Sequence, residues 1–370
     1  MPVERPQDAR RYAVIRYRLL LIELAWSFAV LAILQWSGGS RWIARWWADL
    51  VSVQGLLMLG YLATVGALCY IALLPLHVYR SFFLEHQFGL SRLSWKGWLV
   101  KEAKQVTLTA GLSALLIEGF YFLLRHTPAS WPFWATLGWI GISVVLARIF
   151  PTILLPIFYK TTPLEDRDLV KRLVGLCQRL GLSVLGVFRF DLGAETRKAN
   201  AALAGLGKSR RVLLSDTLIH EFPPEEIEGV LAHELAHHRY HHITKTLVLT
   251  ALGSWVVFTA TNVVGQYWIV PLGLTDLSDI AGLPMMALWL SCLNLVGLPI
   301  QNGISRAFEW QADRFAVAHT QPASAFASAL RRLATLNLAD PQPPALIEWM
   351  FYDHPAMTKR IEAAMKNSAG

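Results

Sequence analysis

The stretch Leu56–Tyr79, LLMLGYLATVGALCYIALLPLHVY, is the clearest indication of the fold, because it contains no Asp, Glu, Lys or Arg over its whole length. A helix needs about 20 such residues to cross the hydrocarbon core of a bilayer. Five further stretches resemble it, although several of them contain a polar residue. The sequence therefore predicts six transmembrane helices, at Leu19–Trp36, Leu56–Tyr79, Val106–Leu124, Phe133–Phe158, Leu247–Val270 and Pro284–Asn302.

The composition also indicates a membrane protein. Of the 370 residues, 54% are hydrophobic and 16% are charged, whereas soluble proteins carry roughly 25% charged residues. Many of the 15 tryptophans lie near the ends of apolar runs, where a membrane meets water. The net charge of +8 is spread over alternate loops, and the sequence contains no RNA- or DNA-reading module. Nucleic acid is therefore not expected as a partner.

The loops differ in their content of lysine and arginine, and cytoplasmic loops carry the excess of these residues. The counts are five before Leu19, two in 37–55, five in 80–105, one in 125–132 and none in 271–283. Both termini and the basic segment 159–246 are therefore predicted to be cytoplasmic. The first apolar run is long and has no clean cleavage pattern, so it is predicted to remain as a span rather than to act as a signal peptide.

Segment 159–246 has the pattern of a small α/β domain. Glu165–Leu182 has leucines at helical spacing, and Val184–Phe190 is apolar like a strand. The predicted fold is an all-α polytopic membrane protein with a small cytoplasmic α/β domain. Its parts are a four-span region (1–158), the α/β domain (159–246), a transmembrane hairpin (247–302) and a cytoplasmic helical region (303–370).

The α/β domain contains the motif HELAH at residues 233–237. Residues four apart on a helix lie roughly 40° apart around the axis, so His233 and His237 face one point and can share a zinc ion. Glu234 is then placed as the general base for a water molecule. Because HExxH also arises by chance, the motif alone is only moderately specific. The three cysteines, scattered singly and without a CxxC pair, offer no thiolate zinc site.

A catalytic zinc ion needs a third protein ligand and an open position. The best candidate is Glu309, which lies four residues before Asp313 on a predicted helix. The Asp313 carboxylate can then accept the outer N–H of a ligating histidine. His238, His241 and His242 follow the motif near Arg239, and they are interpreted as solvated or interfacial rather than as ligands.

With these motifs the chain resembles the type I CAAX prenyl protease family, which consists of membrane zinc metalloendopeptidases. The resemblance covers most of the chain beyond the first span and rests on several motifs in one order. They are LEHQFG (84–89), FPTILLPIFYKTTP (150–163), RVLLSDTL (211–218), HELAH (233–237), EWQAD (309–313) and His354-Pro355 with Arg360.

The resemblance implies further site residues. Asn200 is expected on an edge strand beside the site, where a substrate backbone can add as a further strand. His354 is expected to stabilise the oxyanion, and Arg306 and Arg360 are expected to be structural partners or partners of a substrate carboxylate. From the residues alone, Asn200, His354 and Arg360 each have the character of an ordinary surface residue.

The resemblance also implies a barrel of membrane helices that encloses a water-filled chamber. Eukaryotic members have seven spans, whereas six are predicted here, so closure of the chamber near the N-terminus is left open. Glu23 and Glu118 lie inside apolar runs. Such carboxylates favour either a wet interior or pairing with a residue such as Arg148.

The predicted function is hydrolysis of peptide bonds in membrane-associated or C-terminal, CAAX-like segments, with one zinc ion per chain. A non-catalytic, zinc-stapled scaffold or chaperone is the alternative, but structural zinc does not need Glu234. A transporter would show inverted repeats or paired broken helices, and the sequence has neither. The expected partners are a peptide or protein substrate and the bilayer. A bacterial inner membrane is favoured over the ER membrane, and the oligomeric state is left open.

Overall fold

The computed structural model describes residues 6–205 and 210–368. Most of them are helical. The helices are α1 (Pro6–Trp36), α2 (Gly39–Leu50), α3 (Gln54–Val78), α4 (Leu84–Gln87), α5 (Trp95–His126), α6 (Trp131–Ile149), α7 (Leu155–Phe158), α8 (Arg167–Arg179), α9 (Asp216–Glu221), α10 (Pro224–Arg239), α11 (His242–Gln266), α12 (Leu283–His319), α13 (Ser324–Leu336), α14 (Ala345–Phe351) and α15 (Met357–Ser368). Single π-helical turns join α3 to α4 (Tyr79–Phe83) and α6 to α7 (Phe150–Leu154), and a 3₁₀ turn (Ile280–Gly282) precedes α12.

Six helical segments of the described chain are long and apolar enough to cross a membrane, which confirms the predicted number of spans. They are Gln7–Trp36, Gln54–Gln87, Trp95–His126, Trp131–Phe158, His242–Gln266 and Ile280–His319. Helix α2 lies between the first two of them. Its 12 residues span about 18 Å, which is too short for a bilayer core of about 30 Å.

Charged side chains inside the spans have partners on neighbouring turns or helices. Glu23 of α1 pairs with Arg80, and Glu118 of α5 pairs with Arg125 at 3.2 Å. The Glu23–Arg80 pair joins two spans, as the expected helix–helix pair does, whereas Glu118 pairs within its own helix, and neither carboxylate uses Arg148. The reason is position, since Arg125 lies two helical turns from Glu118 on α5, whereas Arg148 is on α6.

The α/β region contains a four-stranded sheet with the order β1-β2-β4-β3. Strands β2 and β4 are parallel, whereas β1 and β3 pair antiparallel at the two edges. Helix α8 begins at Asp166, whose carboxylate accepts the backbone N–H groups of Asp168 and Leu169, as an N-cap residue does. The strands are β1 (Thr161–Pro163), β2 (Val187–Phe190), β3 (Ala201–Ala204) and β4 (Arg211–Ser215).

The main hydrophobic core lies between this sheet and helices α8, α10 and α13. Leu173 of α8, Leu231 of α10 and Phe326 of α13 are fully buried in it. Helices α10 and α13 approach closely at Gly229, where an added Cβ would lie 3.1 Å from the Cα atom of Phe326. The core therefore fixes α10, the helix that carries the HExxH motif.

Helix α12 joins the membrane region to the site. It runs for 37 residues without interruption, although Pro299 lies inside it. The predicted boundary at 302/303 falls within this helix, and the boundary at 246/247 falls within α11. The apolar run ends near Asn302, whereas the helix itself continues to His319. The same rigid element thus carries the last span and Glu309.

Candidate metal centre

Helix α10 presents two imidazoles to one point. The helix begins at Pro224, which needs no N–H partner in the first turn, and Glu225 and Glu226 follow at its positive end. Two turns later, the Nε2 atoms of His233 and His237 lie 3.3 Å apart. His233 is buried, and its ring stacks on Phe326 with centroids 5.9 Å apart. The core contact thus holds the first histidine.

Glu309 on α12 completes a group of three possible metal ligands. Its Oε1 lies 3.2 Å from His237 Nε2, and its Oε2 lies 3.3 Å from His233 Nε2. Ligands about 2.0–2.1 Å from a tetrahedral ion lie roughly 3.3 Å from one another. Although Glu309 Oε2 is buried, it has no hydrogen-bond partner in the described chain. These residues therefore fit a metal ion with two nitrogen ligands and one oxygen ligand.

Asp313 and Arg360 lie next to this group of candidate ligands, on the side of His233. The Asp313 Oδ1 atom lies 2.9 Å from His233 Nδ1. The Arg360 guanidinium donates to both Asp313 oxygens, at 2.8 and 2.6 Å. Such a bidentate pair fixes the carboxylate firmly. Helix α15 is thereby tied to the metal-binding helices.

The carboxylates also control the protonation of His233. Burial alone would lower the pKa of this imidazole, but Asp313 and Glu309 beside it raise the pKa to about 9. A metal ion on Nε2 must therefore displace a proton, and metal binding is expected to weaken as the pH falls.

Glu234 differs from its neighbours on α10, because its carboxylate is partly exposed and makes no hydrogen bond or ion pair with another described residue. A general base must be free to accept a proton from its substrate. Glu234 is adjacent in sequence to a candidate ligand and has this freedom.

His354 lies at the open side of the group. Its Nε2 atom is 3.4 Å from Glu309 Oε2, and its Nδ1 atom is 2.8 Å from Asp353 Oδ1. The side chain is 49% exposed. Burial alone would lower its pKa, but the hydrogen bond with Asp353 and the charge of Glu309 raise the pKa above its usual value. The imidazole can therefore offer an N–H toward the space above Glu309.

Arg306 holds the segment that leads to His354. Its guanidinium donates to the carbonyl oxygens of Glu348, Trp349 and Tyr352, at 3.1, 3.3 and 2.6 Å. Arg360 is buried against Asp313. Both guanidinium groups are thus engaged inside the protein, which favours the structural one of their two predicted roles.

Asn200 immediately precedes the edge strand β3, and its side chain is exposed. Its backbone is fixed by Ser215, which accepts from the Asn200 N–H at 2.9 Å and donates its own N–H to the Asn200 carbonyl. Strand β3 also contacts α10, since His238 Nε2 lies 3.2 Å from the Leu203 carbonyl oxygen. The strand is therefore a neighbour of the HExxH helix.

The interpretation of the later histidines was wrong for His242, which is 2% exposed. Its Nδ1 lies 3.0 Å from His237 Nδ1. Helix α10 ends at Arg239, and His241 adopts a left-handed conformation (φ 56°) that redirects the chain into α11. Helical spacing could not predict this contact, because it depends on the turn between the two helices.

An HExxH helix joined by a glutamate on a second helix, within a set of membrane spans, defines a membrane metalloprotease. The comparisons agree with this class. The model of peptidase family M48 matches residues 163–368, and the model of the CAAX prenyl protease N-terminal region, described as five membrane helices, matches residues 1–160. The chain belongs to peptidase family M48, and it has the two-part organisation of a type I CAAX prenyl protease.

Relatives match over most of their length. The metalloprotease YhfN of Bacillus subtilis is 23% identical over 97% of this chain and 85% of its own. CAAX prenyl protease 1 of Saccharomyces cerevisiae is 27% identical, over 84% of this chain and 72% of its own. The crystal structure of S. mikatae Ste24p superposes with a TM-score of 0.86 at 24% identity, covering 98% of this chain and 88% of that protein. The fold is therefore shared almost throughout.

Proposed function

We propose that this membrane metalloprotease uses one zinc ion per chain, held by His233, His237 and Glu309. Two imidazoles and one carboxylate are a ligand set that catalytic zinc prefers. The proposal rests on one observation, namely that the two histidine Nε2 atoms lie 3.3 Å apart and that each of them lies 3.2–3.3 Å from one oxygen of the Glu309 carboxylate. When bound, the ion polarises the scissile carbonyl and makes water more acidic.

Each residue around the ion has a separate role in the reaction. Glu234 takes the proton from the attacking water and then passes it to the leaving amine, since its carboxylate has no competing partner. His354 donates a hydrogen bond from its Nε2–H to the oxyanion that develops on the carbonyl oxygen. Asp313, held by Arg360, orients His233, while Arg306 fixes the backbone that precedes His354.

The substrate is proposed to be an extended segment of a membrane-associated protein, including C-terminal, CAAX-like segments. Edge strand β3 offers backbone groups to which such a segment can add, and the exposed Asn200 at its start can contact the substrate backbone. The names of the eukaryotic relatives favour C-terminal segments.

The site and both termini are proposed to face the cytoplasm, following the basic loops. A bacterial inner membrane is favoured over the ER membrane, and the relatives include both bacterial and eukaryotic proteins. In this scheme the chain consists of the membrane region 1–158, the α/β unit 159–246, the hairpin 247–302 and the C-terminal region 303–370.

Glu234→Gln tests the mechanism. The amide keeps the shape of the side chain but cannot accept the proton, so we expect cleavage of a quenched fluorescent peptide to fall by at least about 10²–10⁴-fold. The zinc content should stay at about one per chain. Glu225→Gln, which changes a half-buried glutamate that pairs with Arg172 in the first turn of the same helix, is the matched control and should cleave like the wild type. Undiminished cleavage by Glu234→Gln would contradict the proposal.

A further inference from the structure

His242 is a buried polar side chain that the proposed mechanism does not use. It is the first residue of α11, and its ring stacks on Phe308 of α12 with centroids 4.3 Å apart and planes 9° apart. Tyr240 covers the ring at a centroid distance of 5.8 Å. Two aromatic neighbours therefore hold the imidazole in one plane, and only its two nitrogens are left to make polar contacts.

Both nitrogens have hydrogen-bond partners on the two helices that carry the candidate metal ligands. The Nδ1 atom lies 3.0 Å from Nδ1 of His237, and the Nε2 atom lies 2.9 Å from Oε1 of Gln311. Gln311 is on α12, midway between Glu309 and Asp313. His237, His242 and Gln311 thus form a continuous chain of hydrogen bonds from a ligand helix to the helix that supplies the third ligand.

The proton positions in this chain follow from the metal. With Nε2 of His237 committed to the ion, its Nδ1 carries the proton and donates it to Nδ1 of His242. The proton of neutral His242 is then on Nε2, where it is donated to the Gln311 carbonyl oxygen. Each imidazole nitrogen is used once, either by the ion or by one hydrogen bond. The amide oxygen of Gln311 therefore selects one tautomer in both rings.

We propose that His242 is a positioning residue which, together with Gln311, fixes the tautomer and ring orientation of His237. The inference rests on the proposed metal site and extends it. The two histidine ligands are supported differently, because His233 faces the charged Asp313 whereas His237 faces a neutral imidazole. A neutral partner orients the ligand without adding negative charge near the ion. Since α11 and α12 are both spans, this chain of hydrogen bonds also connects the site to the membrane helices.

The alternative role for His242 is packing alone, as a flat ring between Phe308 and Tyr240. The variant His242→Phe separates the two roles, because phenylalanine keeps the stacked ring and removes both nitrogens. Gln311→Leu removes only the far end of the chain. His241→Asn is the matched control, since it changes the adjacent exposed histidine and asparagine tolerates the left-handed conformation.

The experiment measures zinc affinity of the full-length protein in detergent by competition with a chromophoric chelator, and the melting temperature of the zinc-free protein. We expect His242→Phe to weaken zinc binding by about 10- to 100-fold, with the zinc-free melting temperature unchanged. Gln311→Leu should weaken binding in the same direction but by less. The double variant should be no weaker than His242→Phe, because both residues act through one chain. His241→Asn should bind zinc like the wild type.

Wild-type zinc affinity in His242→Phe would overturn the inference, and so would a double variant in which the two losses add fully. A drop in the zinc-free melting temperature that accounts for the weaker binding would assign His242 to packing. These readouts are independent of turnover. If the wild type bound zinc but cleaved no peptide, the proposed function would fail while the role of His242 was still measured.

Discussion

The α/β region and the membrane region use the same apolar residues in opposite environments. In the α/β region, Leu173 and Phe326 are buried to 1% exposure or less. In the spans, Leu115 is 71% exposed, and only 6% of the most apolar window of Trp95–His126 is buried inside the protein. The first region makes its own core, whereas the second relies on surrounding lipid. Hydrophobic residues therefore indicate core packing in the α/β region and contact with the bilayer in the membrane region.

The candidate metal ligands come from both regions. His233 and His237 lie on α10, which the α/β core fixes, whereas Glu309 lies on the extension of the last span. A substitution at the site should therefore change metal binding. A substitution elsewhere should change stability, by an amount that depends on whether the residue packs against protein or lipid. The predictions below separate these effects.

The largest effect is expected for Glu309→Ala, which removes the only carboxylate of the ligand group. Two histidines alone bind zinc weakly, so the bound zinc measured after dialysis should fall from about one per chain to near none, and cleavage should be lost. Glu118→Ala removes a carboxylate of the membrane region and should retain the metal. Equal zinc content in both variants would contradict the assignment of Glu309 as a ligand.

Phe326→Ala and Leu115→Ala compare the two environments directly. Removing Phe326 leaves a cavity under His233, so the free energy of unfolding should fall by about 3–5 kcal/mol. Leu115 is 71% exposed in a span, and the same truncation there should change stability by less than about 0.5 kcal/mol. Denaturant titration of the two variants in the same micelles is the measurement. Similar losses would mean that Leu115 packs against protein rather than lipid.

Gly229→Ala and Gly111→Ala give a smaller version of the same contrast. An added Cβ at Gly229 meets the backbone of Phe326, which cannot move aside without shifting α13, so stability should fall by about 1–2 kcal/mol. An added Cβ at Gly111 in α5 would meet no described atom within 4 Å outside its own stretch of helix backbone. The better helix propensity of alanine should therefore leave stability equal or raised by up to about 1 kcal/mol. Thermal unfolding of both variants tests the difference in sign.

The sequence predicted the features that depend only on residues close to one another in the sequence. Six spans could be found because their length and lack of charge are properties of each segment. The HExxH ligands followed from helical periodicity, and Glu309 with Asp313 followed from the same spacing on a second helix. The pairing of Glu118 with Arg125 could also have been found, since seven residues are two turns of one helix.

Features that depend on chain reversal were not predicted. The burial of His242 results from the left-handed turn at His241, and the attachment of Arg306 to the carbonyl groups before His354 requires α12 and α14 to be packed together. The continuity of α12 past Asn302 was missed as well, because hydropathy reports the end of the membrane and not the end of a helix. Periodicity has no information about any of these contacts.

The most direct test of the metal centre is to remove and restore the ion in the wild-type protein. The metal is stripped with a chelator, zinc is added back in measured steps, and peptide cleavage is followed together with the melting temperature. The account predicts that stripped protein remains folded but does not cleave, and that cleavage returns in proportion to zinc up to about one equivalent per chain. Full cleavage by stripped protein, or no recovery at any zinc level in protein that is still folded, would contradict it.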